Sequence, residues 1–350
     1  FAGSGREMSY RFENIRSCHF ASPQEQRRQA LRLDGNFIGA GMLFLSLLSQ
    51  MLFTVVVLVL VLFGVIRQEN GMRADLGLGN TGYLLVYMAV YALMMGLPML
   101  LSALLFRRRI QPFGPSRRVR PFDFLGGIVG GMALCVVGNV VASYVMTFLN
   151  AFGIPAPAMP QLLVDSPLIL ALNLLTLAVL PALLEEMVFR GYVLQTLRPY
   201  GDRTALLVST LLFSLMHGNV LQIPFAFVVG LVLGYAVIQT NNIWLAVCIH
   251  FANAMSVLLE YAGFRLPDTE AQGMLNVVVL CSVAIVGFLL LIVLKARRSP
   301  LTAPPARSAP GEGVGANLKT LCTAPLFTVS LVVFVLLVLL SVVMSMGGST

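Results

Sequence analysis

The stretch "LLEEMVFRGYVLQ", Leu183 to Gln195, follows an apolar run that starts near Leu168. It places two adjacent carboxylates, Glu185 and Glu186, and the guanidinium of Arg190 in a segment long enough to cross a bilayer. A charged side chain inside a membrane is costly and marks a functional site by default. On a helix Glu186 and Arg190 are four residues apart and share a face, whereas Glu185 is rotated by about 100° from Glu186. The spacing therefore separates the two carboxylates. Glu186 pairs with Arg190, and Glu185 is free for acid–base work.

The chain has only three histidines. His19 lies in a polar N-terminal segment and is expected to be solvated. His217 in "LLFSLMHGN" and His250 in "LAVCIHFANAM" lie in apolar runs, and Asn253 follows one helical turn after His250. One such histidine can simply hydrogen-bond a neighbour. Two of them with a glutamate pair and an amide form a set suited to activating water and holding an oxyanion. Depth supports the grouping. With Arg198 and Arg203 at one membrane surface, Glu185 and His217 both lie about 20 Å from it. His250, counted from Asn242, reaches about 12 Å, a gap that a tilt, Pro181 or a broken helix has to close.

The elements that must position these groups are membrane helices. The chain is 58% hydrophobic and 11% charged, against roughly 25% charged for a soluble domain. The expected fold is all-α: a polytopic transmembrane helical bundle of about eight to nine helices. A span needs roughly 20 apolar residues. The candidates are about 37–66, 81–106, 122–150, 166–192, 203–217, 220–239, 243–263, 273–296 and 324–346. Segment 203–217 is short and reads as a half-span or as a helix that continues past His217.

The division is an N-terminal cytoplasmic segment 1–36, accessory helices 37–150, a membrane core 165–262 that holds the glutamate and histidine motifs, and a further helix 263–298. A flexible cytoplasmic linker 299–323 and a final, peripheral helix 324–346 follow. No internal repeat is visible. "FLGGIVGGMA", Phe124 to Ala133, suits close helix packing. Net charge is +8, carried by 21 Arg and 2 Lys in short loops, which points to orientation rather than to nucleic acid. Alternate loops are arginine-rich, which puts the N-terminus in the cytoplasm and the C-terminus outside. The scattered cysteines read as core residues and not as a disulfide or metal framework. No cleavable signal peptide is evident; Met8 reads as the natural start, with Phe1 to Glu7 as an addition.

On three motifs the chain resembles the CAAX protease and bacteriocin-processing (CPBP, or Abi) family of intramembrane proteases. Glu185 to Arg190 matches its EExxxR, and Phe213 to His217 its FxxxH. His250 matches the start of its HxxxN, with Asn253 at +3 and Ala254 where the family has the amide. The resemblance covers about residues 165–262. It implies an intramembrane endopeptidase in which Glu185 and His217 activate water and His250 and Asn253 hold the oxyanion. Glu186, Arg190 and Phe213 support them. The implied partners are a peptide or protein substrate, lipidated in the best-known cases, together with membrane lipids. The implied setting is a cell membrane, and the arginine-heavy usage points to a bacterium.

Two cofactor readings stand: a metal-free dyad, or a zinc ion on Glu185, His217 and His250. Two other functions compete: a non-catalytic protein for bacteriocin immunity or scaffolding, and a transporter using Glu185 and His217 as a proton relay. A scaffold would survive Glu185→Gln, and a transporter would show pH-coupled flux.

Overall fold

In a computed structural model the described residues are 22–63, 78–110, 113–154, 166–262, 269–302 and 313–347. His19, Cys18 and the proposed start at Met8 lie outside them. The long helices are α1 (Pro23–Leu62), α2 (Gly79–Leu105), α3 (Pro121–Ala151), α4 (Pro167–Tyr200) and α5 (Asp202–Met216). They continue with α6 (Ile223–Thr240), α7 (Ile243–Ala262) and α8 (Thr269–Ala296), then a short α9 (Val314–Leu321) and α10 (Pro325–Gly347). No strand occurs among the described residues, only an isolated bridge between Ser116 and Asn242. The protein is an all-α, polytopic integral membrane protein.

Among the described residues seven of these helices are long and apolar enough to span, and the 20-residue apolar α7 stands beside them, in line with the expected bundle. Helix α5, with 15 residues, is short for a span. Helix α5 stops at Met216 because the chain turns through Gly218, whose φ of +63° suits glycine. The helix does not continue past His217, which is its C-terminal cap.

Helix α1 starts 14 residues before the expected span. Ser22 accepts a hydrogen bond from the Glu25 amide and Pro23 opens the first turn, a local start signal upstream of the apolar boundary. Residues 23–36 are thus part of a packed helix and not a separate polar segment. Within it, Asp34 is buried, accepts from Tyr200 Oη at 2.7 Å and pairs with Arg108 at 2.8 Å. The linker expected at 299–323 is also shorter. Its last part is α9, where Asn317 Nδ2 donates to the Tyr200 carbonyl at 2.9 Å. Residues 303–312 lie outside the described set.

Close backbone approach holds the outer helices. In α3, Gly130 faces Leu291 of α8 and Gly131 faces Ile249 of α7, as the small-residue pattern predicts. Helix α10 lies against α1, where Gly39 meets the Leu326–Phe327 backbone so closely that a β-carbon there would sit 2.3 Å away. Leu326 N also donates to Asn36 Oδ1 at 3.0 Å. Gly39→Val is therefore expected to overpack this crossing and destabilise the protein by about 1–3 kcal/mol, read as a lower unfolding temperature in detergent. An unchanged transition would show that α10 does not dock here.

Candidate active site

Helix α4 is broken twice. Wide π turns run over Leu175–Val179 and Met187–Val193, on either side of the α-helical Leu180–Glu186. Pro181 has no N–H to offer the carbonyl one turn back, which fits a rearranged turn before it. π turns gather at functional sites. Here one of them carries Phe189 and Arg190.

Glu186 and Arg190 are wholly buried. Arg190 Nη1 donates to Glu186 Oε1 at 2.8 Å, and Nη2 donates to the Gly230 carbonyl of α6 at 3.0 Å. The same Glu186 oxygen lies 3.0 Å from His250 Nδ1 of α7. Glu185 points elsewhere: its Oε2 is 3.9 Å from His250 Nε2, and its Oε1 accepts from Tyr91 Oη of α2 at 2.5 Å. Two carboxyl groups thus share the cluster with one guanidinium and one imidazole. A buried charge set of this kind is tolerated when it is paired and hydrogen-bonded.

His217 Nδ1 sits 2.9 Å from the Phe213 carbonyl. A carbonyl only accepts, so Nδ1 carries the proton and Nε2 presents a lone pair in the neutral ring. Phe213 is the hub of the site. Its ring meets His217 and His250 edge-on, at 5.1 and 6.1 Å between centroids, and Arg190 Cζ lies 4.5 Å from its centre. The cation over the ring face adds attraction in this dry setting.

Glu185 and His217 line one cavity of about 600 Å³. Its walls come from α1 (Leu45, Ser46), α2 (Tyr87, Tyr91, Met94, Met95), the turn after α5 and α10. Helix α10 contributes Phe334, Leu337, Leu340, Ser341 and Met344, so the final helix is not peripheral. The non-helical backbone at Gly218–Gln222 follows a residue that borders this cavity, which is where irregular backbone inside a membrane is tolerated. Asn253 is buried on α7 three residues beyond His250. Among the described residues no three His, Cys, Asp or Glu side chains are grouped to hold a metal. The described cysteines are free.

Residues 167–256 match the family described as "Type II CAAX prenyl endopeptidase Rce1-like". That match places residues 167–256 with the CPBP/CAAX protease family. The matched segment holds Glu185, Glu186, Arg190, Phe213, His217, His250 and Asn253. The chain is also similar to an "Uncharacterized 24.3 kDa protein" of Escherichia coli, 32% identical over 144 residues. That match covers 38% of this chain and 66% of the relative, just under two thirds of its length. No solved structure matches the chain.

The Rce1-like segment leaves out Tyr91 and the cavity walls from α1, α2 and α10, and sequence reasoning missed Tyr91. The available signal for it was a stripe: Tyr83, Tyr87 and Tyr91 recur every four residues on an apolar helix, which aligns three hydroxyls on one face. The Gly230 carbonyl carried no signal, because every residue has one.

Proposed function

We propose that this CAAX-protease-family chain is an intramembrane endopeptidase that hydrolyses a peptide bond with water activated by Glu185 and His217. The observation that carries this reading is the shared cavity. It is lined by both Glu185 and His217, in a bundle that places the Glu186–Arg190 pair next in the chain.

In the proposed reaction, water lies between the Glu185 carboxylate and His217 Nε2. Glu185 takes a proton as the water oxygen bonds to the scissile carbonyl carbon. The carbonyl π electrons move to oxygen, and the resulting oxyanion is held by His250 Nε2–H and the Asn253 amide. For His250 to donate from Nε2 while Nδ1 donates to Glu186, the ring carries both protons. Collapse breaks the C–N bond. The departing nitrogen takes the proton from Glu185, and the products are a carboxylic acid and an amine, which become a carboxylate and an ammonium when the acid's proton passes to the amine. Glu186 and Arg190 hold His250 and the π turn in place.

The substrate end is proposed to be lipidated or strongly apolar, since Met94, Met95, Met216, Leu337, Leu340 and Met344 line the cavity. A metal-free dyad is the reading adopted. The N-terminus is placed in the cytoplasm and the C-terminus outside, from the arginine distribution. The setting is proposed to be a bacterial membrane.

The test is mass spectrometry of peptide termini after purified protein meets a mixed library of prenylated and plain peptides, with and without a chelator. New termini that need the lipid and persist with chelator are expected. Chelator-sensitive cleavage would overturn the metal-free reading, and the absence of any cleavage would favour the immunity or scaffold alternative. In the same assay Asn253→Ala is expected to slow cleavage by roughly 10²-fold, at the low end for an oxyanion donor, because Asn253 is offset by one position from the family pattern. A wild-type rate would remove it from the oxyanion site.

A further inference from the structure

Arg190 and His250 Nδ1 both bind Glu186, and His250 Nε2 comes only to 3.9 Å from Glu185. The group that does touch Glu185 comes from outside the Rce1-like segment. Tyr91 Oη donates to Glu185 Oε1 at 2.5 Å. Its ring is held in turn: Tyr87 and Tyr91 stack at 6.0 Å between centroids, 13° from parallel, and Tyr83 and Tyr87 approach at 6.2 Å. With Oε1 capped, Oε2 is the oxygen turned towards His250 Nε2 at 3.9 Å. That separation is too long for a direct hydrogen bond and fits a bridging water.

We propose that Tyr91 is a positioning residue for Glu185: the phenol pins one carboxylate oxygen so that the other faces the reacting water. The proposal rests on the proteolytic reading above. It assigns α2, an accessory helix by sequence, a direct hold on the general base. A base displaced by about 1 Å can lose roughly 100-fold in rate. Substrate binding need not change, since the phenol acts through Glu185.

The test compares wild type, Tyr91→Phe and Tyr83→Phe, the last altering the far end of the same stack. Three quantities are read. One is kcat and KM on the peptides that wild type cleaves from the mixed library. The second is the unfolding temperature. The third is the infrared carboxylate band of Glu185, identified as the band lost in Glu185→Gln. Tyr91→Phe is expected to lower kcat by about 10- to 100-fold with KM and unfolding temperature unchanged, and to move the Glu185 band. Tyr83→Phe is expected to match wild type in all three. An unmoved band, or a wild-type kcat in Tyr91→Phe, overturns the proposal while leaving Glu185 as the base. A lower unfolding temperature with kcat intact makes Tyr91 merely structural and also overturns it. If wild type cleaves nothing, the proteolytic reading fails, and the infrared band still decides whether Tyr91 holds Glu185.

Discussion

Glu185→Gln is expected to reduce cleavage by about 10³-fold or more while the protein stays folded, because it removes a general base and nearly nothing else. Glutamine has the shape of glutamate and keeps an oxygen that accepts from Tyr91, so packing around the side chain survives. What disappears is the capacity to take a proton from water. His217→Ala is expected to lose a similar factor for a different reason. His217 Nε2 is the second group on the water, and His217 sits at the end of α5 on the cavity wall, so its loss does not open the core. If both variants cleave at the wild-type rate, the Glu185–His217 assignment is wrong. If only His217→Ala retains activity, His250, the histidine nearer Glu185 in the structure, takes its place beside the water.

Arg190→Met is expected to have the largest effect on stability, on the order of 3–5 kcal/mol. Arg190 is fully buried and satisfies Glu186 and the Gly230 carbonyl together. Methionine fills much of the space above Phe213 but leaves a buried carboxylate short of its strongest partner. Removing one member of a buried pair costs far more than replacing both with neutral groups. The double variant Glu186→Gln, Arg190→Met is therefore expected to regain most of the lost stability. It should remain poorly active, because His250 then lacks the carboxylate on Nδ1 that holds its orientation. Thermal unfolding in detergent reads both variants. Equal unfolding temperatures for wild type and Arg190→Met would show that the pair does not support the fold.

The site was legible where its logic is local. The four-residue spacing of Glu186 and Arg190 fixes their pairing on any helix, and the same spacing places Phe213 against His217. The helices were legible because bilayer thickness sets a length. Membrane apolarity, however, says little about where a helix starts. Helix α1 begins at a capping signal, Ser22 to Glu25, that lies in polar sequence.

Depth arithmetic misplaced His250 because it assumed straight helices. In the structure α4 carries two π turns, Asn241 before α7 is left-handed, and His250 Nε2 lies 3.9 Å from Glu185 Oε2. Tyr91 and the α10 wall were hidden for another reason. They reach the site across 94 residues of chain in one case and more than 100 in the other, and no local pattern encodes such contacts.

The most direct test of the central claim is cleavage in heavy-oxygen water, with wild type and Glu185→Gln each given the mixed peptide library and the new termini read by mass spectrometry. The account predicts new carboxyl termini carrying one heavy oxygen from solvent in the wild-type reaction, and none above background with Glu185→Gln. Equal yields from the two proteins would contradict it.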